Sequence, residues 1–260
     1  MGRSAISFGL VLMAGYALVQ TGQGAPTAAE PAAALDAIRQ YALSYSKNLP
    51  NYTCTQTTHQ TVLRGLLPPP PMELIEEQLS FSDNKEIRKV TKINGIPASP
   101  DGPDQLRGTP LRGEFGYLLD IIFKPETGAN IKFERLAKLD GRRVYVFAFR
   151  VPQSSGYVLR ESKRTIQVPF QGSVYADYET RAVVRIDMKC TDIPRDSEYM
   201  NAALTLDYKP ANVAGREFVL PSHYQLHFQM VRGLEMSSAD YTDYRRFSAD
   251  ATVQFEGVKQ

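Results

Sequence analysis

Residues 218–230 constrain the fold of this chain most. Phe218, Leu220, Tyr224, Leu226, Phe228 and Met230 share one parity, while His223, Gln225, His227 and Gln229 take the other. A period of two sends successive side chains to opposite faces of a strand, so this stretch reads as a strand that is apolar on one side and polar on the other. Such a strand needs neighbours and one covered side, which is the arrangement of antiparallel sheets. Other segments agree with it. Residues 51–63, NYTCTQTTHQTVL, are rich in Tyr, Thr and Val, which favour extended backbone. Residues 72–81 and 86–93 form a predicted hairpin around Ser82, Asp83 and Asn84, followed by an Asn94-Gly95 turn. In 144–151, Tyr145, Phe147, Phe149 and Val151 lie on one face with Val144, Val146 and Ala148 on the other, so both faces are expected to be covered. Residues 172–178 and 181–190 read as a second hairpin, with Val184, Ile186, Met188 and Cys190 on one face and Arg185, Asp187 and Lys189 on the other. A last strand is expected at 249–255, after an aromatic cluster of Tyr241, Tyr244 and Phe247.

Helical signals are fewer. Leu35, Ile38, Ala42 and Tyr45 recur at intervals of three and four, which predicts a packing helix that ends before Pro50. Leu118, Leu119, Ile121, Ile122 and Phe123 lack a decisive period and read either as a short buried helix or as a fully buried strand. The run of prolines at 68–71 has no amide donors and reads as a rigid connector. The stretch 97–112, rich in Pro, Gly and Asp, reads as a loop.

The first 24 residues carry one arginine, an apolar stretch from Ala5 to Val19 and then small residues near Gly22 and Gly24. That is the pattern of a signal peptide, and the apolar part is shorter than the roughly 20 residues a membrane span requires. Residues 25–34 are Ala- and Pro-rich and read as a flexible entry to a single β-rich domain over 35–260. No later segment has an apolar run long enough for an integral membrane domain, so the product is expected in the bacterial periplasm or secreted. Export places Cys54 and Cys190 in an oxidising compartment, where they form one candidate disulfide or remain two separate buried thiols.

Composition excludes several function classes. With 43% hydrophobic and 22% charged residues the chain can bury a core, which excludes wholesale disorder. A formal net charge of +2 offers no strong field for nucleic acid. His223 and His227 lie four residues apart on a strand, about 13 Å at roughly 3.3 Å per residue, too far to share a metal ion. Ser154, Ser155 and Gly156 lack the flanking glycines of a nucleophile elbow and read as a turn. The carboxylates form no pair assignable to acid-base work, and there is no Gly-rich phosphate loop. Neither a catalytic residue, a metal ligand nor a cofactor is assigned.

The segments GEFGYLLDIIF, LDGRRVYVFAFRVP, YADYETRAVVRIDMKC, DYKPANVAGREFVLP and DYRRFSA, with the helix before NYTCT, resemble uncharacterised exported bacterial proteins. Their arrangement is similar to the LolA-like superfamily of periplasmic lipoprotein carriers. The resemblance implies a mainly β fold with accessory helices, in which a strongly curved antiparallel sheet or half-barrel holds a helix against its concave face. It departs from the carrier pattern in the proline run and the polar loop after Pro97. Within that architecture, Tyr145, Phe147, Phe149, Leu220, Tyr224, Leu226 and Phe228 either line a cavity for acyl chains or fill a closed core. The implied function is nonenzymatic binding or transport of a lipid, lipoprotein or other hydrophobic cell-envelope component. The partners would be an acyl chain or a cell-envelope protein. A structural or protein-interaction module and an uncharacterised hydrolase are the alternatives.

Overall fold

Strand-forming sequence and tight turns organise the chain. The computed structural model describes residues 29–65, 71–82, 85–99 and 116–247. Helix α1 (Ala29–Asn48) precedes β1 (Tyr52–Arg64), β2 (Glu73–Ser82), β3 (Lys85–Ile93) and the short β4 (Ile96–Pro97). Helix α2 (Tyr117–Phe123) leads into β5 (Asn130–Leu139) and β6 (Arg142–Val151), then the small hairpin β7 (Tyr157–Arg160) and β8 (Thr165–Val168). Strands β9 (Phe170–Asp177) and β10 (Val183–Cys190) follow, then the long strands β11 (Tyr199–Val213), β12 (Arg216–Met230) and β13 (Gly233–Arg246).

An 11-stranded antiparallel sheet runs in the order β4-β3-β2-β1-β13-β12-β11-β10-β9-β6-β5. It is open, with β4 and β5 at its edges. Tight turns close its hairpins: Asn94-Gly95, Asp140-Gly141 and Ala214-Gly215 all have positive φ at both residues, the backbone that two-residue hairpin turns require. β7 and β8 pair separately. Over the described residues the molecule is thus mainly β with two accessory α-helices, a curved half-barrel with helices on its inner face.

Burial follows parity. On β12, Tyr224, Leu226 and Phe228 are buried while Gln225 and Gln229 are exposed, as the alternation requires, and at the register shift before His223 both Leu220 and Pro221 are buried. On β6 the run from Val144 to Phe147 is buried on both faces. In α1, Ala34, Ile38, Ala42 and Tyr45 are buried, and the helix starts at Ala29, ahead of the Leu35 start marked by the apolar stripe. Pro31 lies in its first turn, where a missing amide costs no intrahelical bond, with Glu30 beside it and Lys47 at the far end, each matching the helix dipole. The 117–123 segment, open between helix and strand in sequence, is the helix α2.

Two expectations change. The cysteines form no disulfide: both are buried thiols, Cys54 on β1 and Cys190 on β10. β13, β12 and β11 stand between their strands, four spacings or about 19 Å along the sheet, where a bridge needs Cα atoms about 4.4–6.8 Å apart. The Tyr241 and Tyr244 cluster lies inside β13, a long strand rather than the approach to one. The strand expected at 249–255, the signal segment 1–24, prolines 68–70 and residues 100–112 of the loop expected at 97–112 lie outside the described residues. Pro71 is exposed, and Pro97 sits in the edge strand β4, where its missing amide breaks no ladder.

Candidate functional site on the inner face of the sheet

Cross-strand pairing links side chains into rows across the inner face. One row runs Ile75, Thr58, Ala239, Tyr224, Leu206, Ile186, Val174, Phe147 and Phe133, each the register partner of the next. The neighbouring row runs Glu73, Gln60, Ser237, Leu226, Leu204, Met188, Gly172, Phe149 and Ile131. From β12 to β5 these rows are apolar. From β13 to β2 the second one is polar.

The structure brings the residues assigned from the sequence into this apolar part. Tyr145, Phe147, Phe149, Leu220, Tyr224, Leu226 and Phe228 are all buried and belong to one hydrophobic cluster. Helices cover it. α1 packs on β5 and β10, and α2 packs on α1 and β6. Of the seven residues in α2, Leu118, Leu119, Ile122 and Phe123 are buried in the same cluster. The N-cap of α2 is Gly116, at φ 137°, and no side chain caps its amides. A helix this short is unstable by itself, so its place depends on the four side chains it inserts.

Polar contacts latch α1. Glu30 Oε1 accepts hydrogen bonds from the hydroxyls of Tyr145 (3.0 Å) and Tyr178 (2.9 Å), whose rings stack with centroids 4.9 Å apart. Arg143 lies 4.0 Å over the Tyr178 ring. Burial first, and then the bond to Glu30, holds the Tyr145 hydroxyl above its ordinary pKa. At the other end of α1 the Tyr45 hydroxyl donates to the Val219 carbonyl (2.9 Å), and burial raises its pKa well above the usual value.

The polar end was not visible in the sequence. Gln56, Thr58, Gln60, Glu77, Glu235 and Ser237 are all buried there. Gln56 Nε2 donates to Thr58 Oγ1 (2.9 Å) and Glu77 Oε2 (3.2 Å), while Arg88 Nη1 donates to Gln56 Oε1 (2.6 Å). Arg88 also pairs with Glu86. Gln60 Nε2 lies 3.4 Å from Glu235 Oε1. The available signal was in β1, where Cys54, Gln56, Thr58 and Gln60 alternate with Thr and His, so that a strand paired on both sides is polar on both faces.

The outer face carries a groove of about 850 Å³ over β5, β6 and β9–β12. Ala148, Gly172, Ser173 and Ala203 give it a low floor, with Lys132, Lys189 and His227 among its walls. His223 Nδ1 lies 2.8 Å from Asp240 Oδ1 across β12 and β13. Among the described residues no serine hydrogen-bonds to this histidine, and no group of three or more His, Cys, Asp or Glu is placed to hold a metal ion. No helix among them is long and apolar enough to cross a membrane.

The chain is similar to solved structures of LolA-like proteins. A LolA superfamily protein from Nitrosomonas europaea is 12% identical with a TM-score of 0.42, over 82% of this chain and 94% of that one. A domain from Vibrio parahaemolyticus, provisionally described as outer membrane lipoprotein-sorting, is 10% identical with a TM-score of 0.46, over 83% and 92%. A DUF1329 family protein from Desulfovibrio piger is 9% identical with a TM-score of 0.36, over 83% and 94%. No protein-family model matches the chain, and no curated protein matches it.

An inner face that is apolar for most of its width and polar at one end suits an amphiphile, with the chain along the first part and the polar group at the second.

Proposed function

We propose that this protein, exported by its first 24 residues to the periplasm or beyond, binds or carries a lipid, a lipoprotein acyl chain or another hydrophobic envelope component without catalysing a reaction. The observation that carries this reading is α2, a plug of seven residues whose four buried side chains occupy the inner face of an open sheet. A fully buried Leu, Ile or Phe contributes about 1.5–3 kcal/mol, so four contribute about 6–12 kcal/mol. An acyl chain of about 16 carbons, at about 0.8 kcal/mol per buried CH₂, contributes about 13 kcal/mol. The two occupants are close to balanced, which is what reversible loading needs. When α2 withdraws, Tyr145, Phe147 and Phe149 of β6 become the surface along which the chain lies, and Leu220, Tyr224, Leu226 and Phe228 of β12 extend the same apolar cluster across the sheet.

Native mass spectrometry of the purified protein, then organic extraction and lipid analysis, tests this reading. The expected result is a bound amphiphile whose presence speeds hydrogen exchange in 117–123. A protein that neither carries nor takes up any amphiphile, with α2 equally protected throughout, would overturn it.

A further inference from the structure

Three neighbouring positions of the polar row share one property. Gln60 is the register partner of Glu73 on β2 and of Ser237 on β13, so the three lie side by side on the inner face. Gln60 Oε1, Glu73 Oε2 and Ser237 Oγ are each buried without a hydrogen-bond partner. Gln60 and Ser237 are only 4% and 5% exposed as whole residues. Native proteins pair nearly all such atoms, so three in one row mark a place built to meet something else. All three are oxygens. The Gln60 carbonyl and the Glu73 carboxylate lack a donor, the Ser237 hydroxyl can accept or donate, and the donor amide of Gln60 already faces Glu235.

We infer that this row is a site for a primary ammonium group carried by an amphiphile, an inference that rests on the amphiphile-binding reading above. A primary ammonium presents three N–H donors on a compact centre and accepts none, matching three acceptors and a nearby carboxylate. Neighbouring strands lie about 4.8 Å apart, so an ammonium centred over Gln60 is within one spacing of Glu73 and of Ser237. The same row continues into Leu226, Leu204 and Met188, which gives a chain attached to that ammonium an apolar path from the first atom onward. A carboxylate or phosphate head alone would find only the Ser237 hydroxyl as a donor and would leave the Gln60 and Glu73 oxygens unpaired.

Calorimetric titration of the purified protein with octylammonium, 1-octanol, octanoate and ethylammonium tests the site and the chain path separately. Octylammonium is expected to bind at least about tenfold more tightly than 1-octanol, as charged hydrogen bonds contribute in a buried site, with octanoate weakest. Ser237→Ala and Glu73→Gln should each reduce that preference several-fold. Equal affinity for the three octyl ligands, or a preference for octanoate, overturns the ammonium site and leaves amphiphile binding standing. Ethylammonium binding as tight as octylammonium, lost in Ser237→Ala, supports the polar site and removes the chain path. A crystal structure showing ordered water alone on the three oxygens in saturating octylammonium overturns the site, as does the absence of binding by all four ligands.

Discussion

Replacing Gly172 with alanine is expected to destabilise the protein, although the usual effect of this change inside a strand is a gain of about 0.5–1 kcal/mol. Gly172 lies in β9, opposite Met188 in β10 and Phe149 in β6. A Cβ there would stand 1.8 Å from the Asp187 carbonyl oxygen, 2.8 Å from its carbon and 2.9 Å from the Met188 Cα. All three are backbone atoms, so no side chain can swing aside. Opening the oxygen contact even to 3.0 Å requires a shift of 3.0 − 1.8, about 1.2 Å, which takes neighbouring ladder bonds out of range. Two ladder bonds lost at about 0.5–1.5 kcal/mol each, with about 1–3 kcal/mol of overpacking, give a cost of at least about 2 kcal/mol. Subtracting the intrinsic gain leaves a net loss of at least about 1 kcal/mol, a fall in Tm of at least about 2–4 °C for a domain this size. Thermal unfolding followed by circular dichroism, with urea titration as an independent measure, reads it directly. The sign is decisive: an unchanged or raised Tm would refute the close approach of β9 and β10.

Two further outcomes depend on buried titratable groups. Burial pushes the Tyr41 hydroxyl up to about 12 and raises the Tyr45 hydroxyl well above its ordinary value, against an unfolded value near 10. Between those values the folded state holds protons that the unfolded state has released, so this contribution is complete below pH 10 and declines as pH rises from about 10 to 12. Absorbance at 295 nm should therefore show these tyrosines ionising only with unfolding, and smooth titration of all tyrosines near pH 10 in the folded protein would contradict it. Desolvation likewise pushes the Cys190 thiol up to about 12, so about one in 10⁴ is thiolate at pH 8. A thiol reagent at that pH should leave Cys54 and Cys190 unmodified in the folded protein and label both once it is unfolded without reductant. Labelling of Cys190 within minutes in the folded state, or absence of thiols in the unfolded chain, would be the contrary result.

What the sequence disclosed and what it concealed have one physical cause. In β12 Tyr224, Leu226 and Phe228 are apolar and buried between more exposed polar neighbours, so period and burial coincide there and the strand and its inward residues are legible. In β13 the inner positions include Glu235 and Ser237, and in β1 they include Gln56, Thr58 and Gln60. The two-residue period is still present in the backbone there, but hydrophobicity no longer reports it, so β13 and the acceptor row were hidden together. Pairing was hidden for another reason. β1 meets β13, and β6 meets β9, across long sequence separations that no local pattern records. Cys54 and Cys190 both point inward and so looked compatible, yet only the strand order shows that three strands stand between them.

The position of the polar row also separates a binding face from a core in which polar residues are merely tolerated. A buried oxygen left without a donor costs about 1–3 kcal/mol, and a whole domain is stable by only about 5–15 kcal/mol. Gln60 Oε1, Glu73 Oε2 and Ser237 Oγ therefore consume an appreciable part of what the apolar rows contribute. Folding alone would be better served by continuing those rows with leucine or valine through β13, β1 and β2, as the chain does from β12 to β5. Three such atoms share one row, at the end away from the β5, β6 and β10 strands on which the helices pack and in register with the apolar path, while Arg181 Nη1 lies elsewhere. Departures from local consistency that are concentrated in this way are where function is expected to oppose stability. The triple variant Gln60→Leu, Glu73→Leu, Ser237→Leu should therefore be more stable than the natural chain and lose its preference for octylammonium. If it is less stable, these oxygens serve the fold and the row is structural.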